Sequence, residues 1–417
     1  MSKLFYMNYN LLSMKTNKIL LRVVLFLLIS SPIENRLIAQ GKVVDSSLLD
    51  RVIELEKQVS YKKSGEDHFM VVGLTTIGWN FNKTTVTAGG ASQAVKTNSF
   101  PDDANYEFSP MFIWRHGTKF LMEFEPTFSS GAQLGVNWAD ISYFAAPGLI
   151  IRGGYFVLPF GIYNKRLSAG WIDKLATNPP VSRIPPASDF GIEIEGGFPL
   201  GNMKWNYDVS LTNGNQLRAD GEIQGVGTID NNLNKTVTAR LGLLPFSNSS
   251  LEIGLSGQLG SVGDAGASNI TAQSKAFAID LNYVKLFNPI LVNIKGQYNN
   301  VFVTNQNYLN TNDSSLYTFN NRTTTGFGQI SLRPTGASSK FVKNLEIAYR
   351  YSNFIAPSAS LWGQKNNISE AAFLYWLTWR TVVKCAYQWN NSNSTAIGSE
   401  GTTTQSNTLF LQFSIGL

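Results

Sequence analysis

The sequence alternates between apolar and polar residues at a period of two. From Met203 to Leu211 every second residue is apolar, and the residues between them are polar or charged. The segment Leu409–Leu417 repeats this pattern around Gln412 and Ser414. Period two indicates a β-strand with one apolar and one polar face, because successive side chains of a strand point to opposite sides. The strands of a soluble β-sandwich alternate in the same way, so the number of strands and the lengths of their connections must distinguish a sandwich from a membrane barrel.

The pattern recurs along the chain after position 67, and the connections alternate in length. Most segments have about ten residues, which is the length a tilted strand needs to cross a bilayer. Short turns on one side and long loops on the other are typical of an outer-membrane barrel. We therefore predict an all-β fold, a transmembrane antiparallel β-barrel of about 16 strands, over residues 67–417. The predicted strands are 69–80, 105–115, 118–128, 133–145, 149–158, 189–197, 203–211, 235–244, 250–259, 275–285, 290–302, 323–332, 344–353, 368–378, 382–389 and 407–417. The predicted long loops are 81–104, 159–188, 212–234, 260–274, 303–322, 354–367 and 390–406.

The N-terminal residues carry the one long apolar run of the sequence. Lys15 and Lys18 precede the apolar stretch 19–29, and a polar stretch ends at Ala39, so residues 1–39 are predicted to be a signal peptide. These residues hold five basic side chains and one acidic one, so the net charge after cleavage is about +2 rather than +6. That small charge gives no reason to expect a nucleic-acid partner. We expect export to the outer membrane of a Gram-negative bacterium, with both termini periplasmic.

Composition agrees with a barrel and disfavours several kinds of site. Charged residues make up 15% and aromatic residues 12% of the chain, whereas about 25% charged is usual for soluble domains. Cys385 is the single cysteine, and the two histidines are His68 and His116. A disulfide framework, a metal site and a cofactor are therefore not expected. Neither histidine is placed to act as the base of a serine nucleophile, so no enzyme activity is expected.

Residues 40–66 are predicted to be a periplasmic linker with a short amphipathic helix over 45–60. Leu48, Val52, Leu55 and Val59 form one apolar stripe, at spacings of four, three and four. Two heptads make a marginal coiled coil on their own. The stripe is therefore either an oligomerisation seam, which would favour a homotrimer, or the buried face of a single helix docked on the barrel.

The charged side chains of the predicted strands fall on the polar face, which would line a lumen. A barrel of sixteen strands leaves an aqueous channel. The long connection 159–188 is rich in basic residues and stiffened by prolines, so it is the candidate for a constriction that folds inward. Rings of basic side chains favour anions. The candidate anion path is Lys165, Arg166, Lys174 and Arg183 in this connection, with Arg152, Arg115 and Arg240 on the walls.

A short segment resembles a known family. At 141–161 the sequence runs ISYFAAPGLIIRGGYFVLPFG, in which Gly154, Phe156 and Pro159-Phe160-Gly161 stand at the expected spacing. This resembles the Gly-x-Phe-x-x-Pro-Phe-Gly segment of the phosphate-selective porin O and P family. The resemblance implies a sixteen-stranded trimeric channel. The arginine ladder of the phosphate-selective members does not align with this sequence, so phosphate selectivity is not implied.

Three classes of function remain open at this point. The leading hypothesis is a porin for passive diffusion of small hydrophilic solutes, with a weak preference for anions. A plugged lumen would instead favour a substrate-specific or hydrophobic-compound transporter. The third class is a barrel without transport, used as an adhesin or as a subunit of an export complex.

Overall fold

The structure, a computed structural model, describes residues 67–99, 106–129, 133–310 and 313–416. Twenty-one strands lie in these ranges, together with one short α-helix, α1 (Lys340–Lys343), a π-helix at Tyr163–Leu167 and a 3-10 helix at Pro180–Ser182. The strands are β1 (His68–Ala88), β2 (Ala91–Ser99), β3 (Tyr106–His116), β4 (Phe120–Ser129), β5 (Gln133–Ala146), β6 (Leu149–Val157), β7 (Ser188–Leu200), β8 (Met203–Thr212), β9 (Asn215–Leu217), β10 (Ile223–Gly225), β11 (Thr236–Leu244), β12 (Leu251–Ser261), β13 (Gln273–Phe287), β14 (Ile290–Val303), β15 (Tyr308–Leu309), β16 (Leu316–Tyr317), β17 (Arg322–Arg333), β18 (Leu345–Ile355), β19 (Gln364–Trp376), β20 (Thr381–Ser394) and β21 (Thr403–Gly416).

Sixteen of these strands close into one antiparallel barrel. Each wall strand pairs with the next wall strand in the chain, and β8 pairs with β11 across the small β9–β10 hairpin. The ring closes where β1 pairs with β21, from Leu74 opposite Gly416 to Thr87 opposite Thr403. Closure satisfies the backbone groups that an open sheet edge would leave unpaired in lipid. The prediction of a closed sixteen-strand barrel is confirmed.

The two faces of the wall differ as the alternation predicts. On β8, Val209 and Leu211 point outward with 39% and 49% exposure. Asp208, Ser210 and Thr212 point inward and are at most 3% exposed. An apolar outer surface around a polar interior is the arrangement of a transmembrane barrel. In the described ranges, no helix combines the length and the apolar character of a membrane-spanning helix.

The predicted long loop 81–104 is wrong over much of its length. The first strand continues to Ala88, and β2 pairs back along it from Ala91 opposite Ala88 to Ser99 opposite Asn80. Gly89 and Gly90 make the turn with φ of 56° and 83°, a conformation that glycine adopts without strain. The β-branched residues at 84–87 favour a strand, so the segment extends the wall as a hairpin.

The N-terminal predictions lie outside the described residues. These are the signal peptide over 1–39, the helix over 45–60, and its stripe of Leu48, Val52, Leu55 and Val59. They stay predictions.

Candidate constriction inside the barrel

The connection between β6 and β7, residues 158–187, lies inside the barrel; we call it the inner segment. The amide of Gly161 donates to Ser256 Oγ on β12 at 3.0 Å. The amide of Ala176 donates to Glu370 Oε1 on β19 at 2.7 Å. These two bonds are made to inward-facing side chains of strands that are five places apart in the ring, so the segment lies within the lumen.

Apolar side chains fix the inner segment against the wall. Leu175, 2% exposed, is buried in a cluster that includes Ala348, Ala372 and Ala386. These alanines face inward, where their small side chains leave room for the segment. Burying one leucine contributes about 1.5–3 kcal/mol, so such contacts favour the docked position. A second cluster joins Ile162, Tyr163, Leu167 and Val181 of the segment to Phe327 of β17, and a third joins Phe160 to Ala276, Ala278 and Val301.

Gly161 is required where the segment turns into the lumen. Its φ is +68°, and a Cβ built there would lie 2.1 Å from Nε2 of Gln297. The same Gln297 accepts a hydrogen bond from the amide of Tyr163 at 2.9 Å. Both the left-handed backbone and the close approach exclude a larger residue without rearrangement.

Lys165 lies among three carboxylates, Glu193, Glu195 and Asp208, which we call the carboxylate cage. Its Nζ is 2.7 Å from Glu193 and Glu195 and 2.9 Å from Asp208. Burial opposes protonation of Lys165, but the carboxylates of Asp208, Glu193 and Glu195 outweigh it and hold the pKa of the ammonium above its ordinary value. These three acids converge closely enough to hold a metal ion. In this structure the ammonium of Lys165 occupies their centre.

Arg152 of β6 extends the network along the wall. Its guanidinium lies 3.1 Å from Glu195 and 3.4 Å from both Glu193 and Asp140. Glu123 is farther away, at 3.7 Å. Arg152 is therefore shared among four carboxylates and presents little free positive charge.

Arg166 and Arg240 are paired in the same way. Arg166 contacts Glu252 at 2.8 Å, and Arg240 contacts Glu252 at 3.0 Å and Asp280 at 2.6 Å. If all groups are ionised, seven carboxylates face four cations in this network, so its net charge is −3. The carboxylates are Glu123, Asp140, Glu193, Glu195, Asp208, Glu252 and Asp280, and the cations are Arg152, Lys165, Arg166 and Arg240.

The opposite wall holds the inner segment mainly with cations. Arg350 of β18 lies 3.1 Å from both Asp173 of the segment and Glu370 of β19. Lys384 of β20 donates to the backbone oxygen of Leu175 at 2.7 Å. Lys295 of β14 similarly donates to the backbone oxygen of Ile172. These bonds satisfy carbonyl groups of an irregular segment that would otherwise be buried without partners.

Lys174 belongs to this opposite side. Its Nζ donates to the backbone oxygen of Trp171 at 3.0 Å and lies 3.7 Å from Glu346. It also lies 4.2 Å from the ring centre of Trp376, within cation–π range. Lys174 therefore has no free charge to offer a passing anion.

Arg183 and Arg115 differ from the other predicted residues. Arg183 is exposed on the inner segment, and its side chain has no ion pair with any described residue. Arg115 is also exposed, at the end of β3 beside the short turn to β4. That turn is at the opposite end of the barrel from the connection that forms the inner segment. The seven predicted cations thus do not form one site.

Sequence reasoning missed four charged residues that complete these networks. They are Asp140, Asp280, Glu370 and Lys384, which are all at most 5% exposed. Strand parity contained the signal: Lys384 directly precedes Cys385, which is exposed on the outer face, so Lys384 must point inward. An extra cation on the inward face is consistent with a buried acid across the lumen, but parity alone does not identify the partner.

Comparison with known proteins shows the fold. The sequence matches no protein-family model and no curated protein. An anion-selective porin from Comamonas acidovorans is similar in structure, with a TM-score of 0.51 and 10% identity over 84% of this chain and 100% of that chain. The outer membrane channel DcaP of Acinetobacter baumannii has a TM-score of 0.52 and 11% identity over 86% of this chain and 99% of that chain. The chain therefore has the fold of these outer-membrane barrels, while the resemblance to the phosphate-selective family stays a prediction.

Proposed function

We propose that this protein is an outer-membrane porin through which small hydrophilic solutes diffuse passively. The observation that carries the proposal is the inner segment, docked across the lumen of a closed sixteen-strand barrel. A segment held by ion pairs and apolar contacts narrows a wide barrel into a passage of defined size. The structural neighbours, one of them described as an anion-selective porin, support the same function by analogy of fold.

The passage lies between the inner segment and the wall formed by β3 and β4. On β12, β14 and β18 the lumen-facing Gln258, Asn299 and Ser352 are covered, with 1–2% exposure. On β3 and β4, the side chains of Glu107, Glu123 and Glu125 remain half-buried. The exposed surface of the segment therefore faces the part of the lumen that keeps contact with water.

Selectivity in this passage is weak. Arg183 is exposed on the inner segment without an ion pair to a described residue, and it favours anions. Arg166 is also exposed, but Glu252 pairs with it at 2.8 Å. Glu107, Glu123 and Glu125 on the facing wall oppose Arg183. Any anion preference therefore depends on Arg183 rather than on Lys165 or Arg166, which are paired with carboxylates.

A substrate-specific transporter is the second candidate. The observation that favours it is the coverage of the lumen by the inner segment from β12 to β21, for example through Gln412 of β21, which donates to the backbone oxygen of Ala176 at 3.2 Å. A passage reduced in this way would show low conductance and block by one class of solute.

Single-channel recording in planar bilayers tests the proposal. A porin gives stable conductance steps that rise in proportion to salt concentration, and a reversal potential near zero in a salt gradient. Replacing residues 162–183 by a short Gly-Ser linker should raise the step size severalfold, because it removes the constriction. Absence of steps in both proteins would refute the porin and favour a barrel without transport. Small steps that one solute class blocks would favour the substrate-specific candidate.

The periplasmic placement of the termini and the homotrimer also belong to this proposal. An even number of strands puts the start of β1 and the end of β21 at the short-turn side, which is periplasmic in outer-membrane barrels. Trimer assembly is tested with Leu55→Glu, which should weaken the oligomer on unheated gels if the stripe is a coiled-coil seam. A wild-type monomer in mild detergent would refute the trimer.

A further inference from the structure

The outer surface of the barrel carries a groove on the part of the wall formed by β20, β21, β1 and β2. Its volume is about 570 Å³. Phe81, Leu409 and Tyr387 line its apolar part, and Lys83 and Lys96 line its polar part. All of these side chains lie on the outward face of the wall, so the groove is separate from the lumen and from the constriction.

The two lysines stand directly opposite each other on neighbouring strands. Lys83 of β1 is paired in register with Lys96 of β2, and both are exposed without an ion pair to any described residue. Like charges directly opposite each other in a sheet are destabilising. An anion between the two ammonium groups would remove that repulsion and gain two charge-assisted contacts.

The apolar part of the groove lies on one side of the lysines only. Phe81 precedes Lys83 by two residues on the same face of β1, and it is opposite Leu409 of β21. Leu409 is in turn opposite Tyr387 of β20. These three side chains make a continuous apolar strip that leads along the wall up to the lysine pair.

Trp389 marks the height of the lysine pair on the barrel. It is opposite Asn407 of β21, which is opposite Lys83 of β1, and its ring contacts that of Tyr387 at 4.7 Å between centres. Tryptophan side chains of this kind concentrate at the membrane–water interface. The lysines therefore lie at the level of lipid headgroups, and the apolar strip lies at the level of acyl chains.

We propose that this groove binds a phosphorylated lipid of the outer leaflet, with its phosphate between Lys83 and Lys96 and one acyl chain along Phe81, Leu409 and Tyr387. The proposal rests on the outer-membrane location proposed above, but it does not depend on conduction. Lysine is a suitable phosphate binder because its ammonium acts as a compact charge with three donors. The chemistry required of the ligand is a phosphate monoester or diester attached to a hydrocarbon chain.

Lipid retention in detergent tests the proposal. Purified full-length protein in a non-ionic detergent is titrated with lipid A, and bound lipid is counted by native mass spectrometry. The double variant Lys83→Gln/Lys96→Gln should weaken binding by roughly thirtyfold, since each lysine at an anionic lipid surface contributes on the order of fivefold. Lys275→Gln is the matched control, because Lys275 is another exposed residue near the end of a wall strand, and it should bind like wild type.

Two further probes separate the lipid from a free anion. Dephosphorylated lipid A should bind to the wild-type protein as weakly as lipid A binds to the double variant. Inorganic phosphate alone should not saturate the site at millimolar concentration. Equal lipid binding by wild type and the double variant would overturn the proposal, as would binding of inorganic phosphate at the affinity of lipid A. Channel recordings on the double variant should match wild type. A conducting channel without selective lipid binding would therefore refute this inference and leave the porin standing.

Discussion

Replacing Lys165 by glutamine tests the idea that the carboxylate cage holds the inner segment in place. Glu193 and Asp208 have side chains that are 0% and 4% exposed, and Lys165 itself is 11% exposed. Removing one partner of a buried ion pair costs about 3–5 kcal/mol, because the charges left behind lose their compensation. Lumen water hydrates Glu195, which is 17% exposed, so we expect about 3 kcal/mol.

Hydrogen exchange measures this cost at the inner segment. A loss of about 3 kcal/mol in the opening free energy corresponds to roughly a hundredfold faster exchange of the peptides covering 158–187. Peptides from β13, which does not contact the cage, should exchange as in wild type. Arg183→Gln is the control within the same segment, because that side chain is exposed and unpaired among the described residues.

A double variant isolates the interaction. Adding Glu195→Gln to Lys165→Gln removes one of the stranded charges, so it should restore part of the protection. In bilayers, Lys165→Gln alone makes the surrounding network more negative by one charge and should move the reversal potential toward cation selectivity. Wild-type exchange rates in Lys165→Gln, or equal acceleration in Arg183→Gln, would show that the cage does not anchor the segment.

Three other perturbations follow from the same geometry. Gly161→Ala should disturb the turn into the lumen and raise conductance, because the φ of Gly161 is +68° and an added Cβ would overlap Gln297. The control Gly257→Ala, which has open space around it, should behave like wild type. Equal conductance of the two variants would count against the role of the turn. Arg183→Gln should shift the reversal potential toward cations without changing thermal stability, and an unchanged potential would place Arg183 outside the conduction path. The pKa of Lys165 is raised above its ordinary value of 10.5. Its contribution to holding the inner segment is therefore complete below that pH and is lost only as the pH rises through the raised pKa. A change in conductance between pH 6 and 9 that wild type shows and Lys165→Gln lacks would contradict this.

The sequence determined the architecture because each strand of a membrane barrel needs one apolar face toward lipid and one polar face toward the lumen. Alternation, as in Met203–Leu211, puts apolar side chains toward lipid and polar ones inward. The short turns, such as the one after His116, fixed most strand boundaries to within a few residues. The hairpin of β1 and β2 was missed, because a strand that extends beyond the bilayer needs no apolar outer face to reveal it.

Tertiary structure alone decided which charges neutralise each other. Lys165 and Glu193 are 28 residues apart in the chain, and Asp173 and Arg350 are 177 residues apart. Strand parity places such residues in the lumen, but their pairing depends on how deeply the inner segment enters and on the angle at which it crosses. Those quantities are set by packing, for example of Leu175 on inward-facing alanines, and packing depends on contacts that are distant in sequence. The sequence therefore specified a barrel with a charged lumen. Only the folded chain showed which cations are neutralised by carboxylates and that Arg183 is not, because electrostatic pairing depends on distance in space.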